Sequence, residues 1–309
     1  MSKKGEINPI SEEESEETVL TTNLKNRHIV HAITASLMFM ILWTPYRYLT
    51  PILVSKGISM HSLDSLVKPV VKSGIVIFCF KFLDKIPRNR YLKELGIKKE
   101  GLLKGISLGA IAWLIYTSTL QCLTLYFSTG GTFHPHLRLT ISDFPTYLLN
   151  LGYYVLIVGF FEELLARGYV LREFYKGLQL RYGAFWSVLA SGSIFSFFHI
   201  PIDIFLRKMA ASQIATHLMW TFLFSILAGY VFIRSNWQLA GIAVLHGLID
   251  VKPFFSLIPE NITTENETWV AFCLSILLPI VIIEGFHSIM KKENDQRYSS
   301  IFQANHNLV

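Results

Sequence analysis

Long apolar stretches separated by short polar ones dominate the pattern of this chain. Eight of the stretches approach the roughly 20 residues that a helix needs to cross a bilayer. This pattern predicts an all-α, polytopic membrane protein with about eight transmembrane helices. The predicted spans are 28–54, 69–86, 102–127, 144–169, 184–200, 214–233, 239–257 and 269–290.

Polar segments flank this membrane region at both ends. Residues 1–27 are polar and carry an acidic cluster, which is typical of a disordered tail. We therefore divide the chain into a disordered cytoplasmic N-terminal tail (1–27), a membrane domain (28–290) and a cytoplasmic C-terminal tail (291–309). The charged motifs described below fall within 144–257, which we take as the core of the membrane domain.

The composition agrees with a membrane protein and argues against nucleic acid as a partner. The 309 residues are 51% hydrophobic and 16% charged, which excludes an ordinary soluble domain. The net charge of +6 is the one feature that would favour nucleic acid. In a membrane protein, however, surplus Lys and Arg usually mark cytoplasmic loops that face anionic lipid. We expect a lipid bilayer and no nucleic acid among the partners.

Basic residues divide unequally between the two sides that the eight spans define. Nineteen Lys and Arg fall on the side of the N-terminal tail, the loop between the second and third spans and the C-terminal tail, against six on the other side. Because basic loops stay in the cytoplasm, this asymmetry predicts that both termini are cytoplasmic.

The fourth predicted span contains two acids and an arginine in an otherwise apolar run. Charges within a membrane helix are costly, so they face the protein interior and usually serve function. Glu163 and Arg167 lie four residues apart on one helix face and can pair, whereas Glu162 points elsewhere and is left free for chemistry. A structural ion pair between helices is the alternative reading. The second acid favours chemistry, because packing alone has no evident need for it.

Two later spans contribute imidazole groups. His199 follows Phe195 by one helical turn, and His246 lies four residues before Asp250, whose carboxylate can orient the ring. His217 has no charged partner at helical spacing, so we interpret it as structural. With Glu162, the first two histidines are the residue types that activate a water and stabilise an oxyanion in peptide hydrolysis. The serine-elbow and zincin motifs are absent from the sequence.

Three motifs in this order resemble the CPBP family, also called the Abi family. They are Glu-Glu-x-x-x-Arg (Glu162, Glu163, Arg167), Phe-x-x-x-His (Phe195, His199) and His-x-x-x-Asn/Asp (His246, Asp250). The family contains the CAAX prenyl endopeptidases and bacterial proteins described as bacteriocin-processing or self-immunity proteases. Asp250 stands where the eukaryotic prenyl proteases have Asn.

The resemblance implies an intramembrane endopeptidase whose site opens to the cytoplasm, in a bacterial plasma membrane. Its substrate would be a membrane-associated peptide or protein, with prenylated proteins and leader peptides as the two candidate classes. By position Glu162 would be the general base, and His199 would share its water. His246 with Asp250 would stabilise the oxyanion, while Glu163, Arg167 and Phe195 would support the site.

The resemblance leaves the metal and the role open. Glu162, His199 and His246 are three ligands that could hold zinc, although we favour a metal-free mechanism. A non-catalytic immunity or scaffold protein that uses the same cavity to bind a peptide is the alternative function. A proton-coupled transporter is a further rival, but it predicts repeat symmetry that this sequence does not show.

The topology is directly testable. Reporter fusions after Lys292 and within the 261–266 loop should report opposite compartments, because the first position is predicted to be cytoplasmic and the second external. Both reporters in one compartment would contradict the predicted order of spans.

Overall fold

The computed structural model describes residues 10–129, 136–137, 141–178, 182–251, 253–256 and 268–306. Within these residues the chain is helical, which confirms the predicted all-α class. The helices are α1 Ile10–Ser55, α2 Met60–Phe78, α3 Tyr91–Glu94, α4 Leu102–Thr129, α5 Phe144–Tyr153, α6 Phe160–Glu163, α7 Arg172–Gly177, α8 Gly183–Phe197, α9 Ile200–Phe205, α10 Ala211–Arg234, α11 Leu239–Asp250 and α12 Thr268–His306.

Shorter elements link or extend these helices. Two short 3₁₀ segments, Arg88–Arg90 and Ile141–Asp143, precede α3 and α5. Three π-helical segments, Cys79–Leu83, Tyr154–Gly159 and Leu164–Leu171, prolong α2 and join α5, α6 and α7 into one continuous helical run. The strands β1 His136–Leu137 and β2 Phe255–Ser256 form a two-residue antiparallel pair, with His136 opposite Ser256.

Six of the described helical segments are long and apolar enough to cross a membrane, two fewer than the eight predicted. They are Asn23–Ser55, Leu102–Phe127, Phe144–Gly177, Gly183–Phe205, Ala211–Arg234 and Trp269–Ser288. The predicted seventh span is the shorter apolar helix α11. The predicted second span corresponds to α2, which carries Asp64, Lys68 and Lys72 as buried residues.

Both predicted tails differ from the structure. Helix α1 begins at Ile10, inside the segment 1–27 that the sequence predicts to be disordered. Glutamate has a high helix propensity, and acids at a helix N-terminus interact favourably with the macrodipole, so an acidic start suits a helix. Helix α12 likewise continues to His306, through most of the segment predicted to be the C-terminal tail.

The chain divides into two compact units. The first comprises residues 1–99 and 160–225, and the second comprises 100–159 and 226–309. In the first unit α1 packs against α2, α7 and α9. Its aromatic core includes Phe39, whose ring lies 5.1 Å from that of Trp43 and 4.5 Å from that of Phe198.

In the second unit α4 packs against α11 and α12. Glycine permits the close approach of α4 to α11, because a Cβ on Gly109 would lie 2.0 Å from the carbonyl oxygen of Gly241. A side chain on Gly241 would similarly meet the Gly105 backbone at 2.4 Å. The two helices therefore touch backbone to backbone, which larger residues would prevent.

Gly109→Ala tests this contact. Because the added methyl meets backbone rather than a movable side chain, we expect it to destabilise the protein by about 1–3 kcal/mol, the usual cost of overpacking. The matched control is Gly152→Ala on α5, where a Cβ would meet nothing within 4 Å. Equilibrium unfolding in detergent should show a loss for the first variant and no loss for the second. Equal stabilities would contradict the backbone contact.

Candidate active site

The two acids lie where one continuous helical run changes its winding. Glu162 and Glu163 end the four-residue α6, which is flanked by the π-helical segments Tyr154–Gly159 and Leu164–Leu171. π-helical turns are rare and occur frequently at functional sites, because the widened turn changes the direction of the side chains around it. Residues 164–171 are all buried, so the run continues from the acids into the core of the first unit.

The Glu163–Arg167 pair predicted from the spacing is present. The Arg167 Nη1 lies 2.9 Å from Glu163 Oε2 and 3.0 Å from Oε1, and both side chains are almost completely buried. Arg167 also donates from Nη2 to the Ser225 carbonyl at 3.3 Å and to the Ser225 hydroxyl. The guanidinium lies 4.3 Å from the centre of the Phe195 ring. Arg167 therefore connects the Glu163 helix to α8 and α10.

Glu162 is not left free, contrary to the expectation from the sequence. The ammonium groups of Lys68 and Lys72 lie 3.1 and 3.2 Å from its Oε1 atom. Only 12% of the Glu162 side chain is exposed, and the two lysine side chains are 8% and 5% exposed. The carboxylate is thus fixed in position by two buried cations from α2. Lys68 is one of the six basic residues that the sequence analysis placed on the external side. It is buried in the structure.

A second acid, Asp64, connects this pair of lysines to Arg47. Asp64 accepts hydrogen bonds from Arg47 at 2.9 and 3.2 Å and from the Tyr46 hydroxyl at 2.5 Å. Its Oδ2 atom also lies 3.6 Å from the Lys68 ammonium. Burial raises the pKa of Asp64, but the positive charges of Lys68 and Arg47 outweigh it and hold the pKa below its usual value. Acids and bases therefore alternate through the buried network from Arg47 to Lys72.

His199 lies in the two-residue turn between α8 and α9. Its Nδ1 lies 3.0 Å from the Phe195 carbonyl, which can only accept a hydrogen bond, so Nδ1 carries the proton and Nε2 is the available base. The Phe195 ring contacts the imidazole edge-on, with centroids 5.0 Å apart. Pro201 lies in the first turn of α9, where its missing N–H costs no hydrogen bond. The predicted Phe195–His199 relation is thus a direct contact.

His217 has the charged partner that the sequence analysis did not find. Its Nδ1 lies 2.7 Å from Oδ2 of the buried Asp203, whose other oxygen accepts from Arg207 at 3.0 Å. The His217 ring lies 5.4 Å from the His199 ring. Asp203 lies four residues after His199, so its spacing in the sequence could have marked it as an acid close to the histidine motif. The contact with His217 joins two different helices and leaves no such signal.

Lysines 68 and 72 were missed for a related reason. Asp64, Lys68 and Lys72 recur every four residues and therefore share one face of α2. That spacing is visible in the sequence and marks a charged stripe. It gives no indication that the partner is Glu162, on a helix about 90 residues further along the chain.

His246 and Asp250 belong to the second unit. The His246 Nε2 atom lies 3.5 Å from Asp250 Oδ2, and His246 is buried whereas Asp250 is partly exposed. Their helix α11 packs closely on the π-helical segment Tyr154–Gly159, because a Cβ on Gly247 would lie 2.5 Å from the Val155 Cα. The pairing that the spacing predicted is therefore present, and the part His246 plays in a joint site stays a prediction.

Residues 144–251 match the profile of a protein family described as "Type II CAAX prenyl endopeptidase Rce1-like". All three motifs lie inside the matched segment. The matched segment supports a CPBP-family protease. The resemblance read from the motifs is thus confirmed, and the family implies a protease embedded in the membrane. No curated protein matches the chain.

The candidate zinc ligands were Glu162, His199 and His246. Two ammonium groups already contact Oε1 of Glu162, and cations at that oxygen compete with a metal ion for it. Among the residues that the structure describes, the group of His and acidic side chains whose ligand atoms lie within 4.8 Å of one another contains neither Glu162 nor His199. These residues do not fit a zinc site, and we derive no step through a metal.

The Glu163–Arg167 pair predicts a specific pattern of stability. Glu163→Gln or Arg167→Met alone leaves one buried charge uncompensated, which costs about 3–5 kcal/mol. The double variant removes both charges and should be less destabilised than the sum of the two. Chemical unfolding in detergent measures this double-mutant cycle.

Arg90→Ala is the matched control for a pair of the same spacing. Arg90 contacts Glu94 at 3.0 Å, but its side chain is 60% exposed. The loss should stay below about 1 kcal/mol, as for other surface ion pairs. Strictly additive effects of Glu163→Gln and Arg167→Met would show that the buried contact contributes nothing.

Proposed function

We propose that the chain is an intramembrane endopeptidase that hydrolyses a peptide bond of a membrane-associated substrate by means of a water activated by Glu162 and His199. The observation that carries the proposal is the buried Glu162 carboxylate, held by two lysines inside a segment that matches a protease family. The substrate classes are prenylated proteins and leader peptides.

Glu162 and His199 are suited to act on one water. Both belong to the first unit, and the Glu162 carboxylate exerts an electrostatic influence on the His199 ring. With Nδ1 bound to the Phe195 carbonyl, His199 presents Nε2 as a hydrogen-bond acceptor. In this proposal Glu162 takes the proton of the attacking water, while His199 orients that water and Lys68 and Lys72 fix the carboxylate.

His246 is assigned on its motif and its own surroundings. We propose that it donates to the developing oxyanion, and that Asp250 positions the ring from 3.5 Å. Such preorganised donors stabilise charge that develops in the transition state. Glu163, Arg167 and Phe195 support the site, since the Arg167 guanidinium contacts both of the other side chains.

The alternative function is a non-catalytic immunity or scaffold protein that binds a peptide in the same cavity. The ion pairs of Glu162 support this alternative, because a carboxylate paired with Lys68 and Lys72 can stabilise the fold without taking part in a reaction. The two functions differ in whether the carboxylate itself is needed once the charge balance is kept.

The test compares variants that remove the Glu162 carboxylate with and without a matching loss of positive charge. Glu162→Gln should reduce peptidase activity by about 10²–10⁴, the usual contribution of a general base. It also leaves a buried lysine uncompensated, so folding must be controlled. Glu162→Gln with Lys72→Met restores the balance and should fold without regaining activity. Lys72→Met alone keeps the carboxylate and should retain measurable cleavage of a panel of prenylated and leader-type peptides.

Two further comparisons complete this experiment. Because Glu162 and His199 serve one water, the double variant Glu162→Gln/His199→Ala should be hardly worse than either single variant. Glu284→Gln is the control, since it breaks the ion pair with Arg234 at 2.6 Å outside the motifs. Recovery of activity in Glu162→Gln/Lys72→Met would refute the general base. A wild type that cleaves nothing, while Glu162→Gln keeps the cellular role, would establish the binding function.

A further inference from the structure

Two histidines and two carboxylates converge in the first unit, away from the motifs. His28 Nδ1 lies 2.7 Å from Glu173 Oε2, and His31 Nδ1 lies 2.6 Å from Asp84 Oδ1. One ligand atom from each of the four residues lies within 4.8 Å of the others. His31, Asp84 and Glu173 are almost fully buried, and 30% of the His28 side chain is exposed. The group joins α1, the residue after the π-helical end of α2, and α7.

Other polar groups hold the atoms of the two carboxylates that face away from the centre. The Tyr169 hydroxyl donates to Asp84 Oδ2 at 2.9 Å, and the Lys176 ammonium contacts Glu173 Oε1 at 2.7 Å. The inner oxygens, Asp84 Oδ1 and Glu173 Oε2, thereby stay directed at the histidines. Ligating carboxylates in metal sites are typically fixed by second hydrogen bonds in this way.

We propose that His28, His31, Asp84 and Glu173 form a binding site for a divalent cation of the zinc type, which links α1, α2 and α7 on the inside of the first unit. Two imidazoles and two carboxylates are a ligand set that zinc accepts in tetrahedral geometry. The two carboxylate charges balance a divalent ion, and the ion replaces the protons now shared by the two His–carboxylate pairs.

The spacing of the ligand atoms suits such an ion after small movements. Zinc bonds of about 2.0–2.2 Å separate tetrahedral ligand atoms by about 3.4 Å. The two hydrogen-bonded contacts, at 2.6 and 2.7 Å, are shorter than this, and no separation among the four atoms exceeds 4.8 Å. Side-chain shifts of about 1 Å therefore bring all four atoms to bonding distance.

This site is separate from the proposed active site. Glu173 follows Glu162 by eleven residues in one helical run, and none of the four ligand residues belongs to the three motifs. The inference therefore does not rest on the proposed peptidase activity. A bound cation here would stabilise the packing of three helices rather than take part in hydrolysis.

Arg27 opposes the cation in a way that can be measured. Its Nε lies 3.4 Å from His31 Nε2, while its Nη2 donates to the Leu83 carbonyl at 2.6 Å. Ligation through His31 Nδ1 leaves the proton on Nε2, facing the Arg27 N–H. Removing Arg27 should therefore strengthen zinc binding, an effect that a purely structural cluster would not predict.

The experiment titrates Zn²⁺ into the metal-stripped full chain in detergent, in competition with a chromophoric chelator. We expect one zinc per chain. His28→Ala, at the partly exposed ligand, and Glu173→Gln should each weaken binding by at least the 10–100-fold that even a lost outer-shell partner costs. Arg27→Gln should tighten binding. His61→Ala, an exposed histidine of α2, and Glu162→Gln should leave it unchanged.

Several outcomes would overturn the proposal. The first is a titration without stoichiometric zinc, and the second is an unchanged zinc affinity in both His28→Ala and Glu173→Gln. The third is an equal loss of zinc affinity in His61→Ala, which would indicate binding at the surface. Weakening by Glu162→Gln with no effect of His28→Ala would place the metal at the active site instead. Size-exclusion profiles of each variant separate these results from misfolding, and His28→Ala keeps the test informative if Glu173→Gln does not fold.

Discussion

An unpaired charge inside an apolar helix costs several kcal/mol, and this constraint governs the first unit of the protein. Arg47, Arg167 and Glu163 are among its most deeply buried side chains, and each lies against an opposite charge. The partners come from different helices except for Glu163 and Arg167. Charge pairing therefore determines which helices must be neighbours, as apolar packing does elsewhere.

Helix α2 shows how far this constraint reaches. It presents Asp64, Lys68 and Lys72 to the protein interior, where Arg47 and Glu162 complete the ionic network. Ionic contacts hold this helix together with the buried side chains of Ile75 and Val76. The same contacts fix the position of the Glu162 carboxylate. Architecture and proposed chemistry thus share one set of charges.

The sequence alone predicts the features that depend on residues close together along the chain. Hydropathy gives the helical class, and the four-residue spacing gives Glu163–Arg167 and His246–Asp250. The three motifs give the family. Spacing does not predict partners on distant helices, such as Lys72 with Glu162, or Asp203 with His217. It also does not show that α2 is a charged interior helix, because hydropathy cannot tell a buried ion pair from a loop charge.

The charged face of α2 has a consequence for how the protein is made. Lys72 leaves the ribosome about 90 residues before Glu162, which at about 5–20 residues per second is a delay of about 5–18 s. During that interval the two lysines of α2 lack the Glu162 carboxylate, which has not yet been synthesised. Asp64, on α2 itself, is the acid already present to pair with Lys68 during this interval. Biogenesis of this chain is thereby coupled to the order in which its acids and bases are synthesised.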